Sequence, residues 1–378
     1  MFASRRAVLG GDAFRDEYSL AFDGTNDYVA LSGAFNYNVH SISVWIKVIA
    51  DSDSKAIFDY RDANNDGIHL YIDDSERITY QIDNTDILIS SAIPENKWHH
   101  IVATNDGSAS NIYLNGVLVG TADTSGETIS VSGSAIARIG TRSHTSPDNY
   151  FNGNISEVSI YNSSLSYPQV KTIYNGREPY NHKEGVSSGS LVSWWRMGDG
   201  ALDKFNLIGD EKTPTTGSDL ITNGTFESNI TGWTAKDSSL AHETSSPITG
   251  TGSLKMTASH TSGGAYQNIG LVEGKTYNIT GKMKMTSGTH GEVTIFTSAS
   301  NGTGQTSAYQ GSSGELTTSS GTVSFDTTII AVDKPSIQFT CNEDSAVFLL
   351  DDVVVKEVNG NAGVMINMSS DDFTGDTP

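Results

Sequence analysis

Residues 62–67, Asp62-Ala63-Asn64-Asn65-Asp66-Gly67, fit the pattern D-x-[DN]-x-[DN]-G, with Asp73 downstream. Hard oxygen ligands at alternate positions of a tight turn can wrap calcium, so Asp62, Asn64 and Asp66 are candidate ligands. The same residues are ordinary hairpin-turn chemistry, and the flanks read as strands, which excludes an EF-hand. A second chemistry is sugar recognition. Apolar sugar faces stack on aromatic rings while amides and carboxylates hydrogen-bond the hydroxyls. In the second half Trp233, Tyr266, Phe296 and Tyr309 could line such a groove, and Tyr309 falls in a polar, loop-like stretch. In the first half Tyr60, Tyr80 and Tyr150 sit near predicted loop ends. Each of these rings also fits plain packing. Catalytic signatures are missing: no G-x-S-x-G, H-E-x-x-H or phosphate loop occurs, and the 9 His residues are scattered.

The elements that must position these residues are strands. The chain has 378 residues, 38 of them Gly and only 8 Pro, which suits a turn-rich all-β protein of two or three domains. A net charge of -21 argues against nucleic acid as a partner. Cys341 is alone, so no intrachain disulfide can form. No apolar run reaches membrane-spanning length, so membrane insertion is not expected. Ser4-Arg5-Arg6 looks like the start of a twin-arginine signal, but Gly10, Gly11 and Asp12 interrupt the apolar region; residues 1–17 are read as a basic arm.

The segment KWHHIVATNDGSASNIYLNGVLVG (97–120) predicts the middle of a β-meander, with Asn115-Gly116 as a type I′ turn and Trp98 plugging the core. Ile42, Val44, Ile46 and Val48 alternate with Ser41, Ser43, Trp45 and Lys47, as in a half-buried strand. Ser166 and Gln169 fit the capping box of a short helix that Gly176 stops. The adjacent Trp194 and Trp195 must point to opposite faces of a strand. Residues 301–321, rich in Gly, Ser and Thr, read as loop.

WHHIVAT…NIYLNGVLVG, together with SLAFDGTNDYV, SISVWIK and FNGNISEVSIY, resembles laminin-G-like, concanavalin-A-like sandwiches over residues 18–180. Glucanases of that type carry E-x-D-x-x-E on one strand for retaining hydrolysis. Here Glu157 stands alone, with Ser159 at the next same-face position, so no enzyme is expected. NGTFES…GW, GSLKM, AYQNIGLVEGKTY and FLLDDVVV resemble the carbohydrate-binding-module jelly rolls of xylanases and cellulases over residues 219–358. This second resemblance implies a structural calcium between Glu227 on the first strand and Asp351 or Asp352 on the last. Residues 181–218 are then a linker with a Trp-rich strand, and residues 359–378 a C-terminal segment. LVSWWRMGD (191–199) and GNAGVMINM (360–368) are expected to pair with each other, on the first sandwich or in a neighbouring subunit.

The fold expected is therefore all-β, with two β-sandwich (jelly-roll) domains, the concanavalin-A-like one followed by the carbohydrate-binding-module-like one. DEYSLAFDGTNDYV and GNAGVMINMSSDDF also resemble virion proteins of marine bacteriophages. That resemblance implies a non-enzymatic tail- or head-fibre protein on the virion surface. It would bind a host-surface glycan for adsorption, contact other virion proteins through its arm, and form a homo-oligomer, a trimer being one form. Two alternatives stand beside it: a structural decoration protein without sugar binding, and an accessory binding protein of a secreted polysaccharide-degrading system.

Overall fold

A computed structural model describes residues 14–49, 53–83, 85–88, 91–132, 135–142, 147–185, 188–289, 291–298, 306–332, 335–341 and 343–378. Four antiparallel sheets build two sandwiches. In the first sandwich one sheet runs Val117–Asp123, Ala109–Leu114, Trp98–Asn105, His40–Val48, Asn152–Tyr161, Ser19–Asp23 and Phe373–Thr374, with Leu191–Trp195 also beside Asn152–Tyr161. The facing sheet runs Leu207–Ile208, Gly363–Ile366, Tyr28–Leu31, Ala137–Ile139, Lys55–Arg61, Gly67–Ile72, Ile78–Ile82 and Thr85–Leu88. The Asn115-Gly116 turn has φ of 51° and 75°, as a type I′ hairpin requires.

The second sandwich is set into the first. One sheet runs Ser238–Glu243, Ser253–Ala258, Val347–Val358, Thr276–Ser287 and Thr322–Ile330, with Thr216–Asp219 also beside Val347–Val358. The other runs Thr234–Lys236, Gly264–Asn268, Ser336–Cys341, Gly291–Ser298 and Thr306–Leu316. Residues 191–211 and 359–374 return to the first sandwich, so neither is a free linker or tail. The expected pairing of 191–199 with 360–368 does not form, although Leu207 and Ile208 pair with Val364 and Gly363. Trp194 and Trp195 pair with Ser159 and Val158 in one sheet, while Val364 and Met365 pair with Ala30 and Val29 in the other. Hydrogen bonds join the two segments across the sandwich: Trp195 Nε1 donates to the Asn361 carbonyl (2.8 Å) and Asn361 Nδ2 to Ser193 Oγ (2.6 Å).

Strand His40–Val48 is buried on both faces rather than one. A helix, Tyr167–Tyr174, covers the outer side. Its capping box forms, with Ser166 N donating to Gln169 Oε1 at 2.8 Å. Val170 and Ile173 close a small second core with Val102, Tyr113, Tyr161, Leu191 and Trp194. Trp195 enters the main core instead, edge-on to Phe35 at 5.9 Å, so the two faces of one strand fill two cores. Trp98 is half-buried at the rim, its Nε1 on Asp376 Oδ1 at 3.0 Å, and does not plug the core. An apolar patch of Tyr28, Ala30, Val364 and Ile330 joins the sandwiches, with Asn206 Nδ2 donating to Thr327 Oγ1 at 3.1 Å beside it.

The start of the described chain is fastened by buried charge. Phe14 lies 5.9 Å from Trp194, and Glu17 N and Tyr18 N donate to Asp199 Oδ2. Glu157 sits at a bulge with φ of 53°, wholly buried, accepting from Trp194 Nε1 (2.5 Å) and Arg196 Nε (3.1 Å). The fold thus supplies the acidic neighbour that its own strand lacks, Asp16. Burial holds the Asp16 carboxyl at about 7, with Asp199 pushing the same way and Glu157 and Arg196 opposing. Burial also raises Glu157, against Arg196. An acid raised in the folded state stabilises fully below its unfolded value near 4, and that contribution is lost as pH rises through the folded value. The share of stability that comes from this pair, read from the melting temperature, should therefore fall between about pH 4 and pH 8, while the imidazoles of His40, His69, His100 and His182, held low by burial, act in the opposite sense below about pH 6.5. Glu157→Gln should flatten the fall, leaving the smaller same-sign share of Asp27 and Asp203, each raised by burial to about 6. An unchanged slope would refute the pair.

Candidate glycan-binding face

The five-stranded sheet of the second sandwich turns one side to the core through Ala265, Ile295, Ile337 and Phe339. Side chains alternate along a strand, so their neighbours in sequence face away from the core. In register across that outer face stand Thr234, Tyr266, Gln338 and Phe296. Tyr266 and Phe296 are half-buried and lie two strands apart, about 10 Å, with Gln338 between them. Gln338 has 0% of its surface exposed, yet neither Nε2 nor Oε1 has a hydrogen-bond partner among the described residues. The next row of the same face adds Ser336 and Ser298, both buried with unpartnered hydroxyls. A buried polar atom left unpaired costs roughly 1–3 kcal/mol, and four such atoms lie on one face beneath two half-buried aromatic rings, which are the surface that this face offers to a ligand.

The candidates from the sequence separate on this frame. Tyr266 and Phe296 stand on one face, on either side of Gln338. Trp233 does not join them: it is 7% exposed and packs in the core, 5.4 Å from Phe226 and 5.8 Å from Phe339, with Nε1 held by the Asn223 carbonyl. Tyr309 lies in an edge strand, Thr306–Leu316, and not in a loop; its side chain is outside the described residues. Thr and Tyr carry β-propensity, and backbone pairing to Gly291–Ser298 replaces the missing apolar pattern. In the first sandwich Tyr60 and Tyr80 point into the core, and half-buried Tyr150 packs against the patch joining the sandwiches. Gln338 was missed. Its only sequence signal is an amide among the apolar residues of SIQFTC.

The acidic candidates are anchored to loops. Asp62 Oδ1 accepts from Asn64 N (2.8 Å) and Asp66 N (3.3 Å), and Oδ2 from Ser132 N (3.1 Å) and Oγ (2.7 Å), so this carboxylate ties a turn to its neighbour. Those donors, Ser132 Oγ first, hold it below the usual carboxylate range. Asn64 is exposed and Asp66 half-buried. Glu227, Asp351 and Asp352 gather around residues 249–253. Asp351, buried, accepts from Thr249 N, Thr249 Oγ1 and Ser253 Oγ at 2.9–3.0 Å. Asp352 accepts from Thr249 Oγ1 and Lys282 Nζ, and Glu227 from Thr251 N and Oγ1. Gly250, at φ of 55°, leaves the room that the Glu227 carboxylate occupies; a Cβ there would overlap it. Among the described residues no three His, Cys, Asp or Glu side chains converge as a metal cluster.

Residues 23–171 match the family described as the concanavalin A-like lectin/glucanase superfamily, and residues 218–345 match a carbohydrate-binding domain. Each sandwich thus carries its own family match, the first to the concanavalin A-like superfamily and the second to a carbohydrate-binding domain. The strands after residue 190 complete the former around the latter. Among solved structures, a protein of Bacteroides ovatus described as carbohydrate-binding is 16% identical over 52% of this chain and 56% of its own, with a TM-score of 0.44. The match therefore spans little more than half of that protein. A heptameric pentraxin of Limulus polyphemus is 19% identical over 42% of this chain and 82% of its own, with a TM-score of 0.36. A xylan-binding domain of Paenibacillus barcinonensis is 18% identical over 39% and 99%, with a TM-score of 0.32. Likeness at this level carries no functional argument. No curated protein matches the chain.

Proposed function

We propose that the protein is a non-enzymatic glycan-binding protein whose sugar lies on the outer face of the five-stranded sheet of its second sandwich. Gln338 carries this reading: a fully buried amide without a partner among the described residues, in register between Tyr266 and Phe296. The rings would stack on sugar faces and the amide would take a hydroxyl pair. The carbohydrate-binding family match over residues 218–345 points the same way. The acid pair of Glu157 and Asp16 lends nothing to hydrolysis, because Glu157 is sealed beneath Trp194 and Arg196. The test is a binding screen of the whole chain against soluble polysaccharides. The reading expects at least one ligand whose binding Gln338→Ala weakens at unchanged melting temperature. A chain that binds no member, or binds equally well after that substitution, contradicts it.

Calcium belongs to the proposal as a structural ion at residues 249–253. Glu227, which lies in the loop before strand Thr234–Lys236 and not on the first strand, and Asp352 would close on it with Asp351 and loop oxygens and so fix that loop to strand Val347–Val358. Glu227 Oε1 and Asp352 Oδ1 accept no hydrogen bond among the described residues, which leaves them for an ion. Calcium should raise the melting temperature and a chelator reverse it, with Glu227→Gln removing the rise. A melting temperature indifferent to calcium would exclude the ion.

The finer reading is host adsorption from a virion surface, with neighbouring virion proteins held through residues 1–17 and the chain self-associating. Its support is the resemblance of residues 16–29 and 360–373 to phage virion proteins. In this fold those residues form strands Ser19–Asp23, Tyr28–Leu31 and Gly363–Ile366, so the resemblance bears first on the sandwich. Antibody labelling of purified particles tests it; unlabelled particles would leave the secreted accessory role.

A further inference from the structure

The outer face of the first sandwich holds a pocket that the sheet of the second does not explain. It lies over strands Lys55–Arg61, Gly67–Ile72 and Ile78–Ile82 and encloses about 410 Å³. Its lining is almost wholly polar, from Ser54, Asn65 and Asn149 at the rim to Arg61, His69 and Gln81 on the floor. The floor is rigid. Arg61 Nε and Nη2 grip Asp59 Oδ2 at 2.9 and 2.6 Å, and Arg61 Nη1 donates to Gln81 Oε1 at 2.7 Å. His69 stacks on Tyr71 with centroids 4.2 Å apart and planes 12° from parallel. Around this frame hydrogen-bonding capacity is left over. His69 is 4% exposed, and its Nε2 has no hydrogen-bond partner among the described residues, Asp59 Oδ2 standing 3.5 Å away. The amides of Asn65 and Asn149, Gln81 Nε2, the Ser54 hydroxyl and the Arg142 terminal nitrogens make no hydrogen bond among the described residues. The charges balance: Arg61 is paired with Asp59, and Arg142 with Asp148 at 2.9 Å.

We propose that this face is a second saccharide site, taking a neutral sugar chain. Amides, a neutral imidazole and a guanidinium end can meet hydroxyls of either sense, and the flat His69–Tyr71 stack offers an aromatic platform for a sugar face. An anionic sugar finds no uncompensated cation here, and the net charge of -21 repels it. The volume falls within the range of small-ligand pockets.

The test uses the whole chain and a panel of neutral oligosaccharides (gluco-, xylo-, manno- and galacto-configured) with uronic-acid counterparts, read by calorimetry. Tyr266→Ala with Phe296→Ala silences the other sheet. The expected result is residual binding of a neutral member, insensitive to added salt. Adding Tyr71→Ala and Arg142→Ala should weaken that binding about ten-fold or more, with the first sandwich melting as before. Gln81→Glu is a gentler second variant, since it keeps the contact with Arg61 while replacing the amide donor, and it too should weaken binding. No residual binding, residual binding untouched by either set, or binding of uronic-acid members alone that salt abolishes would each overturn the proposal. Wild-type binding lost with Tyr71 and Arg142 but not with Tyr266 and Phe296 would instead overturn the site on the five-stranded sheet and leave this one standing.

Discussion

Replacing Tyr266 and Phe296 together by Ala is expected to remove most glycan binding by the second sandwich while leaving it folded. Both rings stand on the outer face, half-buried, and neither belongs to the core that Ala265, Ile295 and Phe339 fill. Stacked aromatic anchors typically contribute roughly 1–2 kcal/mol or more each, so the pair should weaken binding by about 30-fold or more. Trp233→Ala is the informative contrast. That ring packs between Phe226 and Phe339, and its loss should cost about 3–5 kcal/mol of stability. Calorimetric titration and thermal melts on both variants separate the two effects. If Trp233→Ala abolished binding at full stability while the double variant bound normally, the assignment of faces would be wrong.

The second large effect concerns the closure of the first sandwich around the second. Trp195 has no exposed surface, meets Phe35 edge-on and donates to the Asn361 carbonyl. Trp195→Ala removes the ring and leaves that carbonyl without its donor, and should cost about 3–5 kcal/mol. Deleting residues 359–378 should be worse. It removes Gly363–Ile366 from between Tyr28–Leu31 and Leu207–Ile208, along with Phe373–Thr374, the edge partner of Ser19–Asp23. The calorimetric transition of the first sandwich should then disappear or fall steeply. The transition of the second should persist, because its core of Leu254, Ile279, Phe348 and Val355 is its own. A truncated chain that keeps both transitions would show that the C-terminal strands are accessory.

Apolar alternation placed strand His40–Val48, the Asn115-Gly116 pair its hairpin, and the Ser166–Gln169 capping box the helix, because those signals are local. The opposite fates of Trp194 and Trp195 followed from strand geometry alone. What could not be read was register between distant strands. Gln338 means nothing beside Ile337 and Phe339; it becomes a site only when pairing sets it between residues 266 and 296. Tyr60 and Tyr80 looked like sugar ligands near loops, whereas parity sends them inward and leaves Tyr71 outside. Residues 306–316 looked like loop because an edge strand needs backbone partners more than apolar side chains. The closure by residues 359–374 was half legible: the segments were identified, but each joins a different sheet.

The measurement that bears most directly on glycan recognition is a crystal structure of the chain with the tightest-binding oligosaccharide from the screen. The account predicts sugar rings against Tyr266 and Phe296, with the Gln338 amide hydrogen-bonded to sugar hydroxyls. A sugar bound elsewhere, with that amide still unpartnered, would contradict it.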